Sequence, residues 1–535
     1  MSFRNRLVLL TAAIIVPALA LLVGCGGNGN GATNPVAPPS GSFSKSSLNG
    51  TYVFSVSGAD SSGAPYAIVG TFTANGGGGI TGGTLDINDA QFPQLSIAPI
   101  ANAPISGSST YHVGVDGRGT VTLNNSTAFV NTIVLDFVLQ DSTHGLVTEF
   151  DSTATGSGTL DLQSSGTTPT GSYAFSFSGL IGGSSSAAVG DFTLGSGGAI
   201  TGLEDFNEGG IANNINQPLS GQMVLGPSST PSTQLTTPNI AGTYDVFAID
   251  ATHLKFIEMD ANGTLSGDAF SQSSTAIPTG TLAFTLVGGN STSSMAAGGF
   301  MVTDGAGNIT TASSEDVNAT ATASFSAQYS TTGPGRFVLN NFSNFVGGTA
   351  YAAYPSSGGV LLLEIDSSGS LMAGAAYPQT SGSSFAASQG YGLNLSGTGS
   401  NPTTGGAVEV DDIAEFTANS TGATVTGVVD ENFDGGLPNY ALALSGQYSA
   451  PVNGRGQISA AAGNSTNTTL NGGFGLTFYT VDGTTFPFIE TDGSQVSSGV
   501  FVAQNPTASA AAIAKPHMFI AAPLVRPTAA HWQKK

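Results

Sequence analysis

Four stretches of this chain repeat one ordered set of short signatures, and this repetition limits the fold more than any other feature. The opening signature is Gly50-Thr51-Tyr52-Val53-Phe54-Ser55-Val56-Ser57-Gly58. It returns at Gly171–Gly179 and Gly280–Gly288, and more loosely at Tyr391–Gly397. Tyr52, Phe54 and Val56 alternate with small or polar residues, the period of a strand with one buried face. A Phe strand, a Gly-rich turn and a strand ending in Asp-x-Asn follow. The four endings are Asp86 and Asn88, Asp205 and Asn207, Asp316 and Asn318, and Asp430 and Asn432. A Gly-Arg turn holds Arg118, Arg336 and Arg455 in three copies and is missing from the second. Next, Asp141, His144, Glu149 and Asp151 are matched in spacing by Asp250, His253, Glu258 and Asp260. The third copy keeps Glu364 and Asp366, and the last keeps Asp482, Glu490 and Asp492. Each copy closes on a Gly with a Gln five residues later: Gly158/Gln163, Gly267/Gln272, Gly374/Gln379 and Gly499/Gln504.

The copies recur at about 110 residues, the size of a small domain and too long for a solenoid unit. They divide the chain into β-repeats at 47–165, 166–274, 275–383 and 384–504, expected as beads on a string with short linkers. The first copy reads as eight strands, near 51–58, 66–74, 79–88, 108–115, 119–124, 132–140, 145–151 and 157–163, with no helical periodicity. Eight short strands joined by successive hairpins predict an all-β fold, each repeat an antiparallel eight-stranded up-and-down barrel. A two-sheet sandwich is the alternative.

A meander puts turns 2–3, 4–5 and 6–7 at one plain end and the longer loops 1–2, 3–4, 5–6 and 7–8 at the other. The Asp-x-Asn and Glu-x-Asp pairs would then meet at the loopy, free end as an acidic rim, with Arg118 about 25 Å from Glu149 along a strand and no ion pair between them.

Only 8% of residues are charged, against about 25% in ordinary globular proteins. Residues 47–504 hold all 33 acidic residues and four basic ones, Arg118, Lys255, Arg336 and Arg455. Phosphate recognition needs clustered Lys and Arg, so nucleic acid is excluded as a partner. The rim of Asp86, Asn88, Glu149, Asp151, Asp205, Asn207, Glu258, Asp260, Asp316, Asn318, Glu364, Asp366, Asp430, Asn432, Glu490 and Asp492 offers oxygens to Ca²⁺ or to sugar hydroxyls. The same residue types also end strands and cap turns through backbone N–H groups, and that reading weighs more. No cofactor other than Ca²⁺ is implied. Asp141 and His144 read as a capped hairpin turn, and no His-Glu-x-x-His or cysteine cluster occurs, so an enzyme is not expected.

The N-terminus carries an address. Arg4 and Arg6 precede an apolar run from Leu7 to Val23, which ends in Leu22-Val23-Gly24-Cys25. A charged start, an apolar stretch and small residues before the cut describe an export signal over 1–24. Leu22-Val23-Gly24-Cys25 resembles the lipobox of bacterial lipoprotein precursors, and Cys25 is the chain's single cysteine. The resemblance implies a lipid on Cys25, a lipid bilayer as partner and a place in the cell envelope. Gly26, where Asp would retain such a lipoprotein at the inner membrane, favours the outer membrane. Residues 25–46 read as a flexible tether. Residues 505–535 hold no acid, four basic residues and the only Trp, and read as a disordered basic tail.

As a whole the chain resembles repeat lipoproteins of environmental bacteria, which implies location more than activity. The Gly-x-Tyr opening and the strand count resemble calycin barrels over a few residues per copy, with Tyr52, Tyr173, Leu282 or Tyr391 where that family has Trp. The expected function is a non-enzymatic binding or structural array. A small-ligand carrier is the first alternative, requiring a hollow interior above roughly 300 Å³. A polysaccharide hydrolase is the second, requiring carboxylates opposed across a cleft. The protein, glycan or small-molecule partner is left open by the sequence.

Overall fold

The structure is a computed structural model. It describes residues 41–507 except 126, 128–130, 165–167, 225–231, 238, 321, 344–347, 383, 401–405, 434–436 and 463–472. Cys25, the export signal, most of the tether and the tail from 508 lie outside the described residues.

The protein is all-β, and the four repeats are four eight-stranded antiparallel barrels in tandem. In barrel 1, β1 (Asn49–Asp60), β2 (Pro65–Asn75) and β3 (Ile80–Asp89) form a meander. The fourth position is split into β4 (Ile100–Pro104) and β5 (Thr110–Val113). The meander resumes with β6 (Arg118–Asn124), β7 (Thr132–Leu139), β8 (His144–Phe150) and β9 (Ala154–Leu162), which pairs back onto β1. Isolated bridges Gly79↔Thr110 and Ile105↔Asn125 tie β3 to β5 and β4 to β6 around the split. Barrels 2, 3 and 4 close without a break over Gly171–Ser271, Gly280–Pro378 and Gly390–Ala503.

Strand alternation sorts every side chain to one of two environments. Tyr52, Phe54 and Val56 of β1 fill barrel 1 together with Ile68, Phe72, Leu85, Val121, Phe137 and Val147. The other three barrels have equivalent cores. The segments leading into barrels 1, 3 and 4 plug them, with Phe43, Ile277 and Phe385 buried in the respective cores. In barrel 4, the Phe385 ring lies within 6.0 Å, centroid to centroid, of Tyr391, Phe416, Tyr448, Phe478, Phe486 and Phe501. The tether expected through residue 46 therefore gives way to packed chain at Phe43, whose N–H also bonds Val115 O at 3.1 Å.

The expected string of beads is not what forms. On the outward parity, Val53, Ala67 and Val69 of barrel 1 pack on Phe247, Ile249 and Ile257 of barrel 2. Ala174, Ala187 and Val189 of barrel 2 pack with Tyr354, Leu361 and Leu363 of barrel 3. Ala283, Val287 and Phe300 of barrel 3 meet Tyr479, Val481 and Ile489 of barrel 4. Ile413 and Val502 of barrel 4 meet Val138 and Leu146 of barrel 1. In each seam the first strands of one barrel lie against the last strands of the next, with the closing strand of the first barrel adding Phe270 or Val502. A repeated head-to-tail contact either runs on as a filament or closes, and here it closes after four units into a ring within one chain.

Candidate functional site

The recurring polar signatures serve mainly as joints of the ring. Each closing Gln donates from Nε2 to a carbonyl of the following barrel: Gln163 to Ala248 (2.7 Å), Gln272 to Pro355 (3.0 Å) and Gln379 to Thr480 (2.8 Å). Gln504 completes the circuit by donating to Leu139 (3.1 Å) and Asp116 (2.7 Å) of barrel 1. The four inter-strand acceptors occupy equivalent positions, each four residues after a partner of the Glu-x-Asp glutamate (Tyr244, Tyr351, Leu476 and Leu135).

The Asp-x-Asn pairs lie in the same seams. Asn88 Nδ2 donates to Glu258 O and Gly263 O at 2.8 Å, Asn207 to Glu364 O and Ser370 O at 3.1 Å, and Asn432 to Glu149 O and Ala154 O at 3.0 Å. Asn318 departs from this pattern. Its φ is +43°, and its Oδ1 accepts the Ala296 N–H within barrel 3.

The aspartates of these pairs receive the arginines. Arg336 bonds Asp205 of the preceding barrel through Nε (2.7 Å) and Nη2 (2.5 Å), and Arg455 bonds Asp316 the same way at 2.8 and 2.7 Å. The hydroxyls of Tyr354 and Tyr479 add bonds of 2.6 and 2.8 Å to the same carboxylates. Burial acts to raise Asp316, but Arg455, Thr322 and Tyr479 outweigh it and hold its carboxyl below the usual range. Arg118 reaches Asp430 at 3.1 Å across the seam that closes the ring, and Asp116 of its own barrel at 2.9 Å. It points to these aspartates rather than to Glu149.

The acidic rim expected from the sequence is not assembled, and parity is the reason. Asp86 and Asn88 face outward into a seam, whereas Leu85 and Ile87, which alternate with them, face the core. Glu149, Glu258, Glu364 and Glu490 face inward, buried at 0–2% exposure. Asp151, Asp260, Asp366 and Asp492 cap turns. Asp151 accepts Val134 N–H (3.1 Å) and Thr153 N–H (2.8 Å), Asp260 accepts Thr243 and Asn262 (both 2.8 Å), Asp366 accepts Thr349 (2.6 Å) and Ala350 (2.9 Å), and Asp492 accepts Ser494 (2.8 Å). The sixteen residues thus point to three different places. Among the described residues no three or more His, Cys, Asp or Glu side chains are grouped to hold a metal.

Burial raises all four inward glutamates above the usual carboxylate range. Desolvation pushes Glu258 up to about 8 and Glu364 and Glu490 to about 7, against hydrogen bonds from Leu265 N–H, from Ser368 and Ser370, and from Ser494 and Ser497 respectively. Glu149 is raised first by burial and then by Asp151, and its partner is the Tyr66 hydroxyl. Beside that pair, the mouth of barrel 1 opens into a cavity of about 190 Å³ walled by Ile68, Ile87, Phe92 and Leu95, with Asp60 and Asp89 at its edge. A second space of the same size lies between the barrel 2–3 linker, barrel 3 and barrel 4, lined by Pro278, Pro355, Tyr377 and Val481. Both fall below the roughly 300 Å³ of ordinary ligand pockets.

Asp141 and Asp250 cap hairpins, accepting the N–H of Thr143 and His144 (2.7 and 3.1 Å) and of Thr252 and His253 (2.6 and 3.0 Å). The two histidines bond Asp161 and Asp268, both at 2.6 Å. Lys255, 1% exposed, joins these groups across the barrel 1–2 seam. It donates to Asp268 at 3.0 Å and to Thr159 at 2.8 Å, and lies 3.8 Å from Asp161. The sequence carried no sign of this cluster beyond Lys255 being the only basic residue of its repeat.

Comparison with known proteins gives distant likenesses. A scan against protein-family models found no match, and a search of curated proteins found none either. Among solved structures, a tryptophan-to-alanine variant of the vaccine antigen Transferrin Binding Protein B from Haemophilus parasuis Hp5 is 10% identical. That likeness covers 85% of this chain and 95% of the other, at a TM-score of 0.18. Intact Ap-TbpB, with N and C lobes, is 8% identical over 69% of this chain and 86% of that one, at a TM-score of 0.16. TM-scores this low carry no argument, and the architecture above rests on the strands and their pairing.

Proposed function

We propose that the protein is an exported lipoprotein, held on the outer membrane by lipid on Cys25, whose ring of filled barrels acts as a non-enzymatic structural or binding module. One observation carries the non-enzymatic part: the Gln that closes every copy, with most of the Asp-x-Asn residues, is used to join barrels. Gln163, Gln272, Gln379 and Gln504 all reach the next barrel, the last closing the ring. Repetition here supports assembly of a rigid body with four similar outer faces, a suitable platform for a protein or glycan partner. The small-ligand carrier loses ground, because aromatic and aliphatic side chains fill the barrels. The anchor reading rests on Leu22-Val23-Gly24-Cys25.

Metabolic labelling with radioactive palmitate and membrane fractionation test the anchor. Wild-type chain should be labelled and sediment with the outer membrane, and Cys25→Ala should be unlabelled and leave that fraction. An unlabelled wild-type chain that stays soluble would sink the proposal.

A further inference from the structure

Three of the four seams set an arginine of one barrel on the Asp-x-Asn aspartate of the barrel before it. The fourth, between barrels 1 and 2, cannot, because the second repeat has no arginine. Asp86, 0% exposed, faces the carboxyl of Asp245 there, itself 7% exposed and within hydrogen-bonding reach. The Asn102 N–H occupies Asp86 Oδ1 at 2.5 Å. Asp86 Oδ2 is buried and finds no donor unless one of the two carboxyls keeps a proton. Phe247 stands where barrels 3 and 4 have Tyr354 and Tyr479, so the hydroxyl that serves Asp205 and Asp316 is absent too.

Among the described residues, Asp245 is the titratable group facing Asp86, and Asp86 the one facing Asp245. The seam's cation, Lys255, is engaged with Asp268 and Asp161. The seam that closes the ring has the equivalent pair, Asp136 and Asp430, but there Arg118 stands 3.1 Å from Asp430.

We propose that the seam between barrels 1 and 2 is a proton-operated joint, closed while Asp86 and Asp245 share a proton and loosened when that proton is lost. Two adjacent buried carboxyls cannot both ionise without mutual repulsion and uncompensated desolvation. The remaining contacts of the seam, Val53, Ala67 and Val69 on Phe247, Ile249 and Ile257, together with Asn88 and Gln163, keep the barrels close, so the joint loosens without the ring falling apart. Burial first, and then Asp245, lift Asp86 to about 8, with the Asn102 N–H opposing. The sign follows. A carboxyl raised in the closed state holds a proton that the opened, solvated state releases, so closure weakens as pH climbs from about 4 to about 8.

Hydrogen exchange of the full-length protein tests this, read by mass spectrometry at pH 6 and pH 8 with the intrinsic pH dependence divided out. Opening across residues 84–89 and 243–248 should increase by about tenfold or more between the two pH values. Residues 350–355, at the Arg336–Asp205 seam, carry only tyrosines that burial keeps protonated across this range, and their opening should increase several-fold less. Asp245→Asn keeps the shape and offers an N–H to Asp86, so it should flatten the profile, as should Asp86→Asn. Equal protection of the first seam at both pH values would overturn the proposal, and so would Asn variants that retain the pH response. If a variant does not fold, as judged by far-ultraviolet circular dichroism, the wild-type profile alone decides.

Discussion

Arg336 is 2% exposed and holds Asp205, itself 0% exposed, with two donors across the barrel 2–3 seam. Removing one partner of such a pair strands the other charge in a place water does not reach. Arg336→Ala should therefore lower stability by about 3–5 kcal/mol in urea unfolding. The Arg455 side chain is 28% exposed, so Arg455→Ala should cost clearly less, because water can reach Asp316 once the arginine is gone. Gln504 makes a neutral joint. Gln504→Ala leaves the carbonyls of Asp116 and Leu139 without their side-chain donor and should cost about 1–3 kcal/mol. The repeated Gln, Asp and Asn were all visible in the sequence. The partners that join barrels were not, because each is a backbone carbonyl or a side chain about one repeat or more away along the chain.

At the scale of the strand, the closing Gly of each copy has a steric cause. Gly158, Gly267, Gly374 and Gly499 lie on the last strand opposite Val56, Phe177, Leu286 and Leu395 of the first. A Cβ at these four positions would overlap the carbonyl oxygen of Ser55, Ser176, Thr285 or Asn394. The two strands can approach this closely, and close the barrel, only without a side chain there. Gly374→Ala should cost about 1–3 kcal/mol or more, seen as a lower urea midpoint. Strand positions were legible because alternation is local: β1 extends by only two residues at each end beyond the expected 51–58. The fourth strand of barrel 1 was only half legible. The stretch near 89–107 read as loop, yet Ile100–Pro104 pairs with β3. Strand 2 also held a signal that pointed to the seams. Tyr66-Ala67-Ile68-Val69 is apolar on both parities, as befits a strand buried on two faces, one by its own barrel and one by the next.

For the whole molecule, the ring predicts a compact particle. A single body of residues 41–507 has a radius of gyration of about 23 Å, whereas four barrels strung in line would exceed about 30 Å. Small-angle scattering separates the two, and a value above 30 Å would refute the ring. The buried carboxyls predict an unusual pH response. Asp86 and Glu258 are pushed up to about 8, and Glu204, Glu364 and Glu490 to about 7, in each case first by burial. Between about pH 4 and 8 the folded chain keeps protons there that the unfolded chain has released, so stability falls as pH rises. Tm should be several degrees higher at pH 5 than at pH 8 in a thermal scan. Asp161, Asp268 and Asp316 act the other way. Burial opposes their ionisation, but His144 and Lys255, Lys255 and His253, and Arg455 with its neighbours respectively keep them ionised, and that contribution is lost only below about pH 4.

The sequence by itself determined that the described chain folds as strands, that those strands form four like units, and that each unit runs as a meander, with a barrel favoured over a sandwich. These follow from alternation, turn chemistry and repetition, which act over a few residues and so are written where they act. Only the tertiary structure decided that the units close into a ring, and that closure reassigned the acidic signatures. Asp86 and Asn88 went to a seam, Glu149 to a barrel mouth and Asp151 to a turn. Residues two apart on a strand share a face whichever face that is, so spacing cannot say whether the face meets water or another barrel. What covers it depends on which surfaces of distant repeats fit one another, and that fit is a property of the assembled molecule.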